Sequence, residues 1–317
     1  MKYSRTQVAC AIFWVAVVCV GVLHMRPEPY KGVAISHRTQ PMPSWRSDPQ
    51  SRQAFITLYT GTDWDRVIAL AYGLLDVNSS FPLAVAVTKL PDESTVLHLE
   101  RLHVRMHQIA DVGVPRNPTI QLSWHLSWNK LRLWGLHEHY DKLVYLDTDT
   151  LPLQNIDEMM DFPSLSIANG QVSPCENAWG VNGGVFVLEP SSIVHEIYTT
   201  HAKLPRWAPD TEQGFLGNFV HPQVPPLHFL STVYNTAARS CICLAPNVWQ
   251  EVKIAHFVAT DKPWEEKGTR TCYGHLAAIW RMRLEYAKQM LFNNDVYLTY
   301  IASKVSANAL PWILHES

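Results

Sequence analysis

Asp147 and Asp149 stand one residue apart, directly after the apolar run Leu143–Leu146. Four apolar residues in a row read as a buried parallel strand. In an open α/β sheet, ligands collect beyond the carboxyl ends of the strands. Two acids at such a point suit a divalent cation that also grips a diphosphate, because hard ions take oxygen ligands and phosphate partners. The chemistry indicated is that of a nucleotide. Asp-x-Asp is a short motif, and the chain has a second copy, Asp63-Trp64-Asp65. No apolar run leads into that copy, so it reads as a turn or a helix cap.

The elements that would carry the acids alternate. Ala54–Tyr59 reads as a strand and Asp65–Leu75 as a helix, with Val67, Ile68, Ala71, Leu74 and Leu75 at helical spacing. Leu83–Thr88 reads as a strand, Glu93–Leu102 as a helix behind Pro91, and Val104–Ile109 as a third strand. Trp124–His139 reads as one helix carrying Trp128, Leu131, Trp134 and Leu136, and the acidic strand follows it. Later come a strand over Asn182–Leu188 and helices over Ser191–Leu204, Asp210–Val220 and Tyr273–Met290. This order predicts an α/β fold, with a mixed, mostly parallel sheet flanked by helices.

The chain has 317 residues, enough for one substantial core plus additions. Its formal charge is −2 and it has no long basic run, so nucleic acid is not an expected partner. Twenty residues without Asp, Glu, Lys or Arg separate Arg5 from Arg26. As a helix they would be about 30 Å long, enough to cross a bilayer. Lys2 and Arg5 before the run, and Arg26 with Lys31 offset by Glu28 after it, favour a cytosolic N-terminus. The expected organisation is a cytosolic tail (1–7), a signal anchor (8–25) and a Pro-containing stem (26–53). A cleaved signal peptide is the rival to the anchor. Both send the remainder into the secretory lumen, and the expected location is the Golgi or endoplasmic reticulum membrane. Cys175, Cys241, Cys243 and Cys272 would then sit where disulfides persist, in any of three pairings. They lack the paired Cys/His clusters of a zinc site. Asn78-Ser79-Ser80 is a glycosylation acceptor pattern that matters only in the lumen.

With these elements in order, the chain resembles the family-8 retaining glycosyltransferases, the group that includes glycogenin. The likeness covers roughly residues 54–268 and rests on ordered motifs. Phe55–Thr60 resembles the first strand, whose end contacts the uridine. Lys130-Leu131-Arg132-Leu133-Trp134 resembles the helix whose lysine approaches the donor. Tyr145–Leu151 resembles the metal motif, and Asn182–Val187 the Asn-x-Gly strand that lines the sugar pocket. Glu212-Gln213 stands where the family has Asp-Gln. His256-Phe257 with Lys262-Pro263-Trp264 resembles the loop that closes on the diphosphate.

The resemblance implies a GT-A nucleotide-diphospho-sugar transferase fold over 54–268, with 269–317 as a C-terminal helical extension. It implies transfer of a hexose from a UDP-sugar, with Mn²⁺ and retention of configuration, to a glycan, lipid or protein acceptor. Asp147, Asp149 and His256 would hold the metal; mixed Asp/His ligation suits Mn²⁺ better than Mg²⁺. Lys262 would add a point charge on the phosphates. Leu58, Thr60, Trp64, Lys130, Thr148 and Gly183 would contact the donor. Asn182, Glu212 and Gln213 would lie against the transferred sugar. A lysine on a helix rich in Trp and Leu otherwise snorkels to solvent, and Trp64 otherwise packs as an ordinary aromatic.

Four positions depart from glycogenin: Gly61, Glu212, Ala259, and the stretch after Tyr234-Asn235, which has no tyrosine to accept sugar. Self-glucosylation is therefore not expected. Glu212 and Ala259 keep open a member of the family that has lost catalysis and serves as a glycan-binding or structural protein. An aspartate-nucleophile phosphatase also carries Asp-x-Asp, but it needs Thr or Val where Leu151 stands and a later Gly-Asp pair, which this chain lacks.

Overall fold

The structure, a computed structural model, describes residues 51–115, 117, 121–170, 180–207, 211–258, 262–265 and 272–292. The expected tail, anchor and nearly all of the stem lie outside these residues, as do Cys175, Ala259 and 293–317. Among the described residues, no helix is long and apolar enough to cross a membrane.

The strands are β1 (Gln53–Tyr59), β2 (Leu83–Val87), β3 (Arg105–Gln108), β4 (Lys142–Leu146), β5 (Thr150–Pro152), β6 (Ser166–Asn169), β7 (Val181–Leu188), β8 (His228–Leu230), β9 (Thr236–Ala237) and β10 (Ile254–His256). The α-helices are α1 (Asp65–Asp76), α2 (Glu93–Arg101), α3 (Leu122–Leu126), α4 (Ser192–His201), α5 (Glu212–Asn218), α6 (Pro246–Trp249) and α7 (Cys272–Phe292).

Among the described residues the main sheet has the order β3-β2-β1-β4-β7-β6-β8. Its β3/β2, β2/β1, β1/β4 and β6/β8 pairs are parallel; β4/β7 and β7/β6 are antiparallel. The expected mixed, mostly parallel sheet is therefore present.

Alternation along the central strands feeds two cores, as a strand buried on both faces requires. Phe55, Val85, Val144, Leu146, Val185 and Val187 face one side, where α1 and α7 contribute Leu70, Leu74, Trp280 and Leu284. Ile56, Leu143, Tyr145, Phe186 and Leu188 face the other, with Trp128, Trp134, Tyr198 and Phe215. Arg283 of α7 pairs with Asp76 and donates to the Pro152 carbonyl, and Lys288 pairs with Asp65. Asp65 lies in the first turn of α1, and Asp63 accepts from the Asp65 N–H at 3.2 Å, so the second Asp-x-Asp forms the turn expected of it, without a side-chain helix cap.

One expectation is corrected. Trp124–His139 is not a single α-helix: α3 ends at Leu126 and a 3₁₀ helix runs from Ser127 to Leu136. A 3₁₀ turn holds three residues, so positions three apart eclipse. That places Ser127 and Lys130 on one face, and both contact Glu212. The apolar spacing looked the same for either helix type.

Of the three possible cysteine pairings, the structure forms Cys241–Cys272, with a Cα–Cα distance of 5.9 Å. This bridge ties the start of α7 to the 3₁₀ turn Ala238–Ile242.

Candidate active site

The site begins where β4 ends. Asp147 N–H donates to the Gly184 carbonyl at 2.8 Å, which holds the strand end against β7. The Thr150 N–H and hydroxyl both donate to the Asp147 carbonyl, closing a turn with Thr148 half-buried at its tip. The chain then enters β5, which pairs antiparallel with β10 so that Thr150 lies opposite His256. On its other side β10 pairs with β9, His256 opposite Ala237. This small second sheet carries His256 to the acids from more than a hundred residues away.

His256 is 3% exposed. Its Nε2 lies 3.1 Å from Asp149 Oδ1 and 3.9 Å from Asp147 Oδ2. The ligand atoms of Asp147, Asp149 and His256 all lie within 4.8 Å of one another. That is close to the span one ion with bonds of about 2.1 Å bridges, and two carboxylates with an imidazole form a donor set that manganese accepts. The residues fit the expected ion. Lys262 Nζ lies 2.5 Å from Asp149 Oδ2 and donates to the Phe257 carbonyl. Burial alone would raise the Asp149 carboxyl; His256 and Lys262 outweigh it and hold it below the usual carboxylate range.

Lys130 does not snorkel. It is 4% exposed and donates to the Gly183 carbonyl at 2.8 Å and to Glu212 Oε1 at 3.0 Å, with Asp147 Oδ1 at 3.1 Å. Burial opposes its charge, but Asp147 and Glu212 push its proton affinity well above that of an ordinary lysine. Glu212 caps this arrangement from the first turn of α5, its other oxygen accepting from Ser127 Oγ. Both Glu212 oxygens are therefore engaged within the protein. The side chain holds Lys130. Gln213 Oε1 accepts from Gly183 N–H at 3.3 Å.

The nucleoside candidates lie at and after the end of β1, the parallel neighbour of β4. Leu58 is half-buried and packs on the core beneath the 3₁₀ helix; Thr60 is exposed. Trp64 is partly buried, with its ring edge-on to Tyr59 at 4.8 Å between centroids. Gly61 has a local reason: a Cβ there would meet the Tyr59 hydroxyl at 2.6 Å.

Four further residues join the site. Tyr145 donates to Asp147 Oδ1 at 2.6 Å, and burial, followed by the Asp147 charge, raises its hydroxyl far above an ordinary phenol. Ser127 bonds Glu212. Asn235 accepts from His256 Nδ1 at 2.8 Å. Gly184 gives the imidazole room: a Cβ there would lie 2.2 Å from His256 Cε1. The signals were present in the Asn-Gly-Gly run and in Tyr145 two residues before Asp147, but nothing in the spacing ties Asn235 or Ser127 to the acids. Gly184→Ala is expected to weaken divalent-ion binding by at least about tenfold by displacing the imidazole, measured by Mn²⁺ titration of tryptophan fluorescence. Unchanged affinity would show that the ring does not ligate.

No protein-family model matches the chain. Among curated relatives, galactinol synthase 1 of Ajuga reptans is 29% identical over 258 residues, covering 69% of this chain and 75% of that protein. Glycogenin-2 of Homo sapiens is 30% identical over 232 residues, covering 68% of this chain and 44% of that protein. Among solved structures, the glycosyltransferase GlyE of Streptococcus pneumoniae TIGR4 aligns with a TM-score of 0.51 at 16% identity, over 76% of this chain and 64% of that one. An active-site mutant of LgtC aligns with a TM-score of 0.51 at 14% identity, over 72% of this chain and 95% of that one. The structural likenesses bear on the fold, and the sequence relatives on the family. The chain is a glycosyltransferase of the GT-A fold, homologous to the galactinol synthases and glycogenin of family 8.

Proposed function

We propose that the protein transfers a hexose from a UDP-sugar to a glycan, lipid or protein acceptor, with Mn²⁺ and with retention of anomeric configuration. The observation that carries this reading is the convergence of Asp147, Asp149 and His256, from β4, its following turn and β10, with Lys262 beside Asp149. Asp147, Asp149 and His256 would hold the ion, which when bound neutralises charge that develops on the departing diphosphate. Lys262 would add a second positive charge to the same phosphates. Lys130, fixed between Asp147 and Glu212, sets the shape of the donor floor. Asn182 turns its Oδ1 inward to Gly184 N–H and Asn235, which leaves its Nδ2 to donate to a sugar hydroxyl. In the transfer the C1–O bond to phosphate breaks as the C1–O bond to the acceptor forms on the same face. The leaving phosphate takes the acceptor's proton, so no protein base is assigned. Leu58, Thr60 and Trp64 would receive the nucleoside.

The lumenal, membrane-anchored placement is part of the proposal. It rests on residues 8–25 and on Asn78, which is exposed in the turn after α1. That turn leads towards the start of β2, at the end of the sheet opposite the C-terminal ends of the parallel strands β1 and β4, so a glycan there would leave the site clear. Expression in secretory cells should give a glycosidase-sensitive band that Asn78→Gln removes; its absence would count against the placement.

The activity is tested with purified protein, Mn²⁺ and a panel of UDP-sugars, reading UDP release. Turnover of at least one donor, abolished by a chelator, is expected. Failure to bind or turn over any donor would overturn the reading.

A further inference from the structure

The metal-ligating nitrogen of His256 is assigned by a hydrogen-bond chain that starts at a backbone amide. Gly184 N–H can only donate, so the atom of Asn182 that it meets at 2.9 Å is the side-chain oxygen. The same oxygen is 2.9 Å from the Asn235 amide, which must therefore present its NH₂ group there. The Asn235 oxygen then faces His256 Nδ1 at 2.8 Å, and that nitrogen must carry a hydrogen. Nε2, the nitrogen directed at Asp149 and Asp147, is left as the one that can offer a lone pair to a cation. Asn235 is 1% exposed, and it immediately precedes β9, the strand paired with β10. Its position is thus fixed by the same small sheet that fixes His256.

We propose that Asn235 is a positioning residue that sets the tautomer and ring orientation of His256 and couples it to Asn182. The inference rests on the metal-dependent transferase reading above. Asn235 touches neither ion nor sugar; it acts through the two residues that would. One amide thereby links the metal site to the sugar pocket, its oxygen serving the first and its nitrogen the second.

Two substitutions separate these roles. Asn235→Leu removes both hydrogen bonds while keeping the branching at Cγ, and Mn²⁺ affinity of the donor-free protein should fall by about 10–100-fold, the usual effect of losing such a partner. Asn235→Asp keeps an acceptor for His256 Nδ1 but offers no donor to Asn182. Its Mn²⁺ affinity should stay within about threefold of the unsubstituted protein or tighten, because a carboxylate on the second nitrogen raises ligand basicity, while kcat for donor turnover falls by about tenfold or more. Circular dichroism and Tm establish that each variant is folded. Should Asn235→Leu fail to fold, Asn235→Asp carries the test through the split between affinity and kcat. Unchanged Mn²⁺ affinity in Asn235→Leu would overturn the proposal. So would equal loss of affinity in both variants, since Asn235 would then serve packing alone. If the unsubstituted protein binds no divalent ion, both this inference and the metal-dependent reading fall. If it binds Mn²⁺ and turns over a donor but the variants do not behave as described, only this inference falls.

Discussion

Asp149→Ala should lower donor turnover by at least about 10³-fold while leaving the far-ultraviolet circular dichroism spectrum intact. Loss of one preorganised stabilising group alone costs about 10²–10³ in rate. Here a second loss follows, because Asp149 also holds Lys262 through Oδ2 and His256 through Oδ1. Without the carboxylate, the lysine that would meet the phosphates and the imidazole that would meet the ion both lose their shared anchor. Raising Mn²⁺ should recover little of the rate, since the fault lies in geometry as well as affinity. The measurement is UDP release from the best donor, alongside Mn²⁺ titration. Turnover within about tenfold of the unsubstituted protein would remove Asp149 from the chemistry and with it the case for a metal at this site.

The second large effect is on stability. Lys130→Met should destabilise the protein by about 3–5 kcal/mol, the cost of removing one partner of a buried ion pair. The Lys130 and Glu212 side chains are each 6% exposed. Removing the ammonium leaves the Glu212 carboxylate buried with Ser127 as its remaining partner, and Asp147 without its neighbouring cation. In a chain of this size Tm should drop by on the order of 10 °C. The pH dependence carries a sign. Lys130 has a raised proton affinity in the folded state. Its contribution is therefore complete below the ordinary lysine value of about 10.4 and is lost only as pH rises through the higher folded value. The penalty should thus be flat from about pH 6 to 9. Adding Glu212→Gln should restore part of the loss, because the stranded charge is then gone. Urea denaturation of the single and double variants decides it; a single-variant loss under about 1 kcal/mol would mean that the pair is solvated.

Much of the site was legible because its chemistry restricts residue choice. Asp147 and Asp149 stood out from the apolar run that leads into them, whereas His256 and Lys262 were reached only through the family resemblance; the four side chains converge. The longer elements were legible for a related reason. Burial on both faces gives apolar runs such as Leu83–Val87 and Leu143–Leu146, and α1 shows helical periodicity. The three-residue strands β5 and β10 were not legible, because so short a segment carries no period. Their pairing nevertheless delivers His256. Nor could spacing separate the 3₁₀ helix from an α-helix over Ser127–Leu136, although the tighter turn is what stacks Ser127 and Lys130 on Glu212. Asn235 could be read only as a landmark beside Tyr234, since its partners, Asn182 and His256, are 53 and 21 residues away.

The family motifs stop near residue 268, but the segment carrying Lys262 is fastened to what comes afterwards. Trp264 packs against Trp280 at 5.7 Å and beneath the Arg66 guanidinium at 3.9 Å, Arg281 donates to the Pro263 carbonyl, and Tyr273 meets Phe257 edge-on. The disulfide to Cys272 closes a covalent ring around His256 and Lys262 together. The smallest excisable unit is therefore longer than the recognisable one: a truncation placed at the last motif would strip the segment carrying Lys262 of its mooring while deleting nothing that looks catalytic.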